Sequence, residues 1–244
     1  MGARGHDSHT RWNDAILPIA EHVARPVVWP GRCHSRTHEA QIGHAEAMEL
    51  STTAGVIITA VVGYLIGSIP VANIVARRRA ALDLRTVGDH NPGYWNAKAT
   101  LGRRAALPVF IGDVAKGAAA ALVGMALANP GVWGLTYVGA GAAMIGHAYP
   151  VFARFRGGRS VLTFVGGAAV FAPFPVAISV GVLLVVFALT KSFAYGARAG
   201  FVVLPFATLV VQGPYRTAAM GVLMSFIGLR FVVAALADRS AERD

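Results

Sequence analysis

From residue 52 onward the chain alternates long apolar runs with short polar segments, and seven of the runs are candidate membrane spans. The first, TTAGVIITAVVGYLIGSIPVANIVA at about 52–76, is long enough at about 1.5 Å per residue to cross roughly 30 Å of hydrocarbon with some tilt. The others fall near 105–128, 132–153, 160–172, 174–190, 198–212 and 216–236. The fourth and sixth are shorter than the usual 20 or so residues. Pro173 and Pro175 separate the fourth from the fifth, and Gly213-Pro214 separates the sixth from the seventh, because proline and glycine punctuate helices. The pattern predicts an all-α polytopic membrane protein with about seven transmembrane helices; five spans, with the short segments re-entrant, is the alternative count.

Composition agrees. Hydrophobic residues make up 55% of the chain and charged residues 14%, against roughly 45–50% and 25% in soluble domains. The formal charge of +10 would suit a nucleic-acid partner, but its placement argues otherwise. Between Leu50 and Ala237 there are 15 Lys or Arg and only three acids, Asp83, Asp89 and Asp113, and most of the bases sit in short segments between apolar runs. Basic loops of that kind stay on the cytoplasmic side. The segment after span one (Arg77, Arg78, Arg79, Arg85, Lys98, Arg103, Arg104) and the one after span three (Arg154, Arg156, Arg159) are therefore expected inside. Seven spans then place the N-terminus outside and the C-terminus in the cytoplasm.

The first 47 residues differ from the rest. They carry six of the eight histidines, the single Cys33, and five Arg against five acids, without a signal-peptide apolar core. They are expected to be a disordered polar extension (1–47), with the membrane domain spanning 48–244 and Met48 as the expected true start. His9-x4-Asp14 in this stretch has the spacing of an acid/base pair, but it lies far from any apolar fold. Cys33-His34 with His38 offers too few ligands for zinc.

Two polar segments are unusual for connectors. Val87–Asn96 reads Val-Gly-Asp-His-Asn-Pro-Gly-Tyr-Trp-Asn, dense in hydrogen-bonding and turn-setting residues. The second is Arg154-Phe-Arg156-Gly157-Gly158-Arg159-Ser160. Two glycines among three arginines, followed by a helix start, would give free backbone N–H groups and guanidinium forks converging on one spot, which suits a phosphate. A positive-inside loop with a glycine turn is the other reading. Asp113 and Lys116, at i and i+3 within span two, share a helix face; such intramembrane charges form a structural ion pair or support the loops. His147, after Gly146, is either a substrate or supporting contact or a satisfied buried histidine. Small residues such as Gly139-Ala-Gly141 and Gly117-Ala-Ala are read as helix-packing positions.

In order along the chain stand Gly63-Tyr-Leu-Ile-Gly-Ser-Ile-Pro70, Asp83-Leu-Arg-Thr-Val-Gly88, Asn91-x-Gly93, Asn96, Leu101-Gly102, Asp113-x-x-Lys116-Gly117, Gly146-His147-x-Tyr-Pro150-Val-Phe and Phe155-x-Gly157-Gly158. Across about 63–165 this series resembles the acyl-phosphate:glycerol-3-phosphate acyltransferase family (PlsY). The resemblance implies a multi-pass enzyme of the plasma membrane, its active loops facing the cytoplasm. Such an enzyme moves a fatty acyl group from acyl phosphate to the 1-position hydroxyl of glycerol 3-phosphate, forming lysophosphatidic acid in phospholipid synthesis. It implies no cofactor and no metal. Two anionic substrates call for cationic loops at the membrane surface, and an already activated donor needs no protein nucleophile.

Carried over by position, Asn91, Gly93 and Asn96 match the family's Gly-Ser-Gly-Asn-x-Gly-Ala-Thr-Asn motif, and Gly157 and Gly158 match Lys-Gly-Gly-Lys-Gly. Arg156 and Arg159 stand for the two lysines, with Arg156 expected to act in catalysis, and Ser160 and His147 join the substrate-contact set. Lys98 is the substitute for an arginine absent at Ala99. Asp89 replaces a serine and His90 a glycine, and Tyr94-Trp95 replace Ala-Thr. Of a C-terminal Arg-His-Arg-x-Asn segment only Arg230 survives, expected with Asp113 and Lys116 as support. Asp89 either pairs with Lys98 or serves as general base on the acceptor hydroxyl with His90 nearby; the other reading is a drifted loop with altered or lost activity. A small-anion transporter is the rival class, disfavoured because the two halves show no repeat.

Overall fold

The computed structural model describes residues 53–128 and 132–241. The expected extension 1–47 and start at Met48 lie outside them, as do His9, Asp14, Cys33, His34 and His38. Every described element is helical: α1 (53–67), α2 (Val71–Ala80), α3 (Tyr94–Leu101), α4 (Arg103–Leu127), α5 (Gly134–Ala148), a 3-10 turn (Val151–Ala153), α6 (Val161–Phe171), α7 (Pro173–Thr190), α8 (Phe193–Gln212) and α9 (Pro214–Ala241).

Each of the seven apolar runs is helical, and five stretches are long and apolar enough to cross a bilayer: Thr53–Ala80, Arg103–Leu127, Pro173–Thr190, Phe193–Gln212 and Pro214–Ala237. The sixth run is longer than its sequence suggested, because the helix starts at Phe193 and carries Arg198 inside it. Outward side chains on the long helices are apolar and bare, with Val210 86% and Leu189 79% exposed, as a hydrocarbon solvent permits.

The first run is two helices. Pro70 has no N–H and disfavours helical geometry at Ile69, so α1 ends in a turn in which Ser68 N donates to Tyr64 O (2.9 Å) and Ile69 N to Ile66 O (3.3 Å). At the break the Ile69 carbonyl accepts from Val71 N (3.0 Å) and keeps a lone pair for a second donor, through which it becomes part of the site below. Residues 94–101, expected as the end of a loop, form α3, which packs on α2 and α4 around Ala72, Ala76, Leu84, Ala97, Ala106 and Val109.

α4 is the central helix, packed against α2, α3, α5 and α6. Its glycines make the contacts close. A Cβ on Gly117 would run into the Thr163 carbonyl of α6, one on Gly166 into the Val114 carbonyl, and one on Gly139 into the Ala120 carbonyl. α1 meets α5 in the same way, at Gly67 against Ala143 and Gly146 against Tyr64. Between α5, α6, α8 and α9 lies an apolar core of Tyr137, Met144, Phe164, Phe171, Leu204 and Met220, in which the rings of Tyr137 and Phe171 stack 4.0 Å apart.

Where bilayer solvent offers no hydrophobic drive between helices, close backbone approach carries association. Gly117→Val should therefore separate α4 from α6 and cost about 2–3 kcal/mol or more. Gly181→Ala, which meets nothing within 4 Å, should leave stability unchanged. Thermal unfolding in detergent with the two variants side by side checks this.

Candidate functional site

The break between α1 and α2, the first half of α4, the end of α5 and the loop into α6 converge on one pocket. It is lined by Ile69, Asn73, Asp113, Lys116, His147 and Arg156, with Gly157, Gly158 and Pro92 at its rim. Its floor is ionic. Lys116 Nζ lies 2.9 Å from Asp113 Oδ1 and donates to the Ile69 carbonyl at 3.2 Å. His147 Nδ1 approaches the same Asp113 oxygen at 3.5 Å. All three side chains are buried, at 2%, 6% and 8% exposure for Asp113, Lys116 and His147. A lone buried ammonium would be prohibitively costly, and Lys116 has a carboxylate and a carbonyl against it.

The glycine loop is positioned by α5. Gly157 N donates to Ala148 O and Gly158 N to His147 O, both at 3.1 Å. These N–H groups, expected from the sequence to be free for an anion, are thus spent on holding the loop. The glycines serve proximity: a Cβ on Gly158 would strike His147 Nε2, and one on Gly157 the His147 carbonyl. Arg154 and Phe155 take left-handed backbone conformations (φ 55° and 58°) that turn the chain back over the pocket. From the far end of the sequence, Arg230 Nη2 donates to the Gly157 and Gly158 carbonyls at 3.4 Å each, and Nη1 to the Tyr149 hydroxyl at 3.3 Å. Ser160 donates to Met144 O at 2.7 Å and is buried, so it anchors the start of α6. Arg156 is exposed and makes no side-chain hydrogen bond among the described residues, which leaves its whole guanidinium open at the rim.

The first polar segment is held from inside. Asn96 is 3% exposed and gives both amide hydrogens to backbone, to Leu84 O at 2.9 Å and Val87 O at 2.8 Å, while its oxygen accepts from Thr100. Asn91 N donates to Asp89 Oδ1 at 3.2 Å, and Gly93 N to Asn91 O at 2.8 Å. Asp89 does not meet Lys98. Its other oxygen accepts from Arg159 Nη1 at 3.3 Å, bridging the two polar segments, whereas Lys98 Nζ sits 4.7 Å over the Trp95 ring. His90 holds a left-handed backbone (φ 55°), and its Nδ1 lies 3.3 Å from the Arg85 carbonyl.

Asn73 escaped the sequence reading, and Asp83 and Arg85, read there only as loop charges and part of a motif, were given no place at the site. Asn73, the one amide in an apolar stretch, is 5% exposed and lines the pocket. Asp83 and Arg85, at i and i+2, pair through the Arg85 Nε and Nη2 atoms, and Arg85 Nη1 reaches across 68 residues to Ala153 O at 3.0 Å. Their i, i+2 spacing was the available signal, since opposite charges that close favour a local fork. The Arg85 hydrogen bonds hold the Asp83 carboxyl well below the usual carboxylate range, against a smaller opposing effect of burial, and Asp83 in turn raises Arg85.

Comparison with known proteins follows the same lines. A family model described as glycerol-3-phosphate acyltransferase matches residues 57–238. The glycerol-3-phosphate acyltransferase 5 of Dehalococcoides mccartyi is 39% identical over 182 residues, 72% of this chain and 75% of that protein. A glycerol-3-phosphate acyltransferase of Shouchella clausii is 36% identical over 180 residues, 71% of this chain and 86% of that one. The crystal structure of PlsY, an integral membrane glycerol 3-phosphate acyltransferase in its glycerol 3-phosphate form, aligns with a TM-score of 0.64 at 26% identity, over 75% of this chain and 93% of that chain.

Because the Asp83 pKa is depressed on folding, its contribution to stability is present above the unfolded carboxylate pKa of about 3.9 and is lost as pH falls below it toward the folded value. Asp83→Asn should thus cost on the order of 1–2 kcal/mol at pH 7. The gap from wild type should stay constant down to about pH 5 and close only on further acidification. Unfolding midpoints in detergent across pH 3–8 measure it.

Proposed function

We propose that this chain, which belongs to the glycerol-3-phosphate acyltransferase family, transfers a fatty acyl group from an acyl phosphate to a hydroxyl of glycerol 3-phosphate at the pocket over Lys116. Acyl transfer to glycerol 3-phosphate in phospholipid synthesis is the family activity and this chain's; the acyl phosphate donor, the cytoplasmic face, seven crossings and the residue roles are our reading. The observation that carries it is the buried Asp113–Lys116–His147 cluster opening beneath the free guanidinium of Arg156. Arg156, open at the rim, is the cation available to a substrate phosphate, with Lys116, paired to Asp113, lining the narrow cleft beneath it.

The chemistry needs little more. The acceptor oxygen attacks the acyl carbon, the ester bond forms, and the bond from that carbon to the phosphate oxygen breaks. The electron pair leaves with the phosphate, which also takes the acceptor's proton, since its second ionisation lies near neutral pH. Lys116 donates to Ile69 O, pairs with Asp113 at 2.9 Å and lines the pocket. Arg156 offers a bidentate fork to charge that grows on the departing phosphate. We assign Asp89, His90, Asn91, Gly93 and Asn96 to holding the first segment in place: both Asp89 oxygens are engaged, and the base role then falls to the phosphate. Arg159 and Arg230 lock the glycine loop from either side, and His147 supports it from below.

The test is acyl transfer by the full chain in phosphatidylcholine nanodiscs, with acyl phosphate and radiolabelled glycerol 3-phosphate. Arg156→Ala should lower kcat/KM by about 100-fold, whereas Asp89→Asn should lose only a few-fold. Wild-type rates in Arg156→Ala would overturn the phosphate role, and a loss of about 1,000-fold in Asp89→Asn would restore it as the base.

A further inference from the structure

The end of the bundle away from the pocket carries a charge that the reaction does not use. Bases segregated to one end are ordinary in a membrane protein, and here they gather in the two polar segments and near Lys191. Among the described residues Arg216 is the exception. It stands in the first turn of α9, where α4 ends and α5 begins. There it lines a cleft of about 330 Å³ whose other walls include Met125, Val132, Trp133, Thr136 and Val170.

Within this cleft the guanidinium has no counter-charge. It is half-buried, lies 5.5 Å from the centroid of the Trp133 ring, and makes no hydrogen bond or ion pair among the described residues. Asp83, Asp89 and Asp113 are all engaged with other cations, away from this cleft. A ring face attracts a cation but takes up none of its five N–H donors. Beside it, Thr136 is 6% exposed, lines the cleft, and its hydroxyl has no hydrogen bond among the described residues. A guanidinium and a buried hydroxyl without acceptors together call for an anion with several oxygens.

The remaining walls say where that anion comes from. Met125 and Val132 are apolar and exposed, and Tyr215, next to Arg216, is 82% exposed. Tryptophan and tyrosine collect at the level of lipid headgroups, which puts Arg216 between acyl chains and water. A small anion from the water would leave the apolar walls bare, whereas a lipid covers both parts.

We propose that this cleft binds an anionic glycerophospholipid from the leaflet opposite the pocket. Its phosphodiester oxygens accept from Arg216 and Thr136, and an acyl chain lies along Met125, Val132 and Val170. One phosphodiester charge answers one unpaired guanidinium. The lipid is neither acyl donor nor acyl acceptor, and the cleft lies at the other half of α4 from Asp113 and Lys116. The inference therefore stands apart from the roles given to Arg156 and Lys116.

The test uses the full chain in phosphatidylcholine nanodiscs that contain a small fraction of lipid brominated near the carbonyl end of its chains, either phosphatidylglycerol or phosphatidylcholine. Quenching of Trp133 is read as the difference between wild type and Trp133→Phe. Brominated phosphatidylglycerol should quench at an about fivefold lower mole fraction than brominated phosphatidylcholine, the gain expected of one cation near an anionic lipid. Arg216→Gln should remove that preference without moving the unfolding midpoint in pure phosphatidylcholine, and Arg216→Lys, which keeps the charge but not the fork, should retain part of it. Glycerophosphoglycerol, the same headgroup without chains, should not displace the brominated lipid. Equal quenching by the two lipids in the wild type overturns the site whatever the variants do, as does a preference that survives Arg216→Gln. A preference lost equally in both variants together with a lowered midpoint assigns Arg216 to the fold, and displacement by glycerophosphoglycerol removes the lipid as occupant.

Discussion

A lysine ammonium buried at the end of a membrane bundle must be neutralised on the spot, and the way Lys116 meets that requirement organises the molecule. Its partners come from two places, Asp113 one turn earlier on α4 and the Ile69 carbonyl at the Pro70 break between α1 and α2. The proline break and the lysine are therefore one feature. An unbroken first helix would bond the Ile69 carbonyl internally and leave the ammonium short of an acceptor. A broken helix without the lysine would leave that carbonyl only the Val71 N–H, at 3.0 Å.

Above this floor the polar segments are assembled by contacts distant in sequence. Arg85 reaches Ala153, Arg159 reaches Asp89, and Arg230 reaches Gly157 and Gly158. Each uses a guanidinium, whose several donors can hold one backbone group and still face another partner. The glycine loop depends on His147 twice, once through its carbonyl and once because its ring lies where any Gly158 side chain would be. That arrangement gives Arg156 a fixed backbone base while its own fork stays open to a substrate phosphate.

The membrane architecture was legible because apolar runs bounded by glycine and proline are a strong signal in a solvent that forbids unpaired backbone. Asp113 and Lys116 were legible for the same reason, charges standing where charges are costly. What escaped detection was direction. The sequence places Gly157-Gly158 among arginines but not the carbonyls of α5 that take their N–H groups, and it places Asp89 near Lys98 but not Arg159, 70 residues away. Ser-Ile-Pro70 was present in the first span, and weighing the proline's effect on the preceding residue would have exposed the break. Asn73 had no such warning, since one amide in an apolar helix is equally consistent with a packed or a binding position.

The claim that the Asp113–Lys116 pair both permits the fold and supplies pocket charge separates cleanly in a double-mutant measurement on protein in nanodiscs. Asp113→Asn and Lys116→Met alone should each destabilise by about 3–5 kcal/mol, because each strands a buried partner, and the double variant should recover most of that loss. Its acyl transfer to glycerol 3-phosphate should nevertheless stay at least tenfold below wild type, about the effect of one lost charge-assisted contact. A double variant that regains both stability and full activity would contradict the account, since Lys116 would then serve the fold alone.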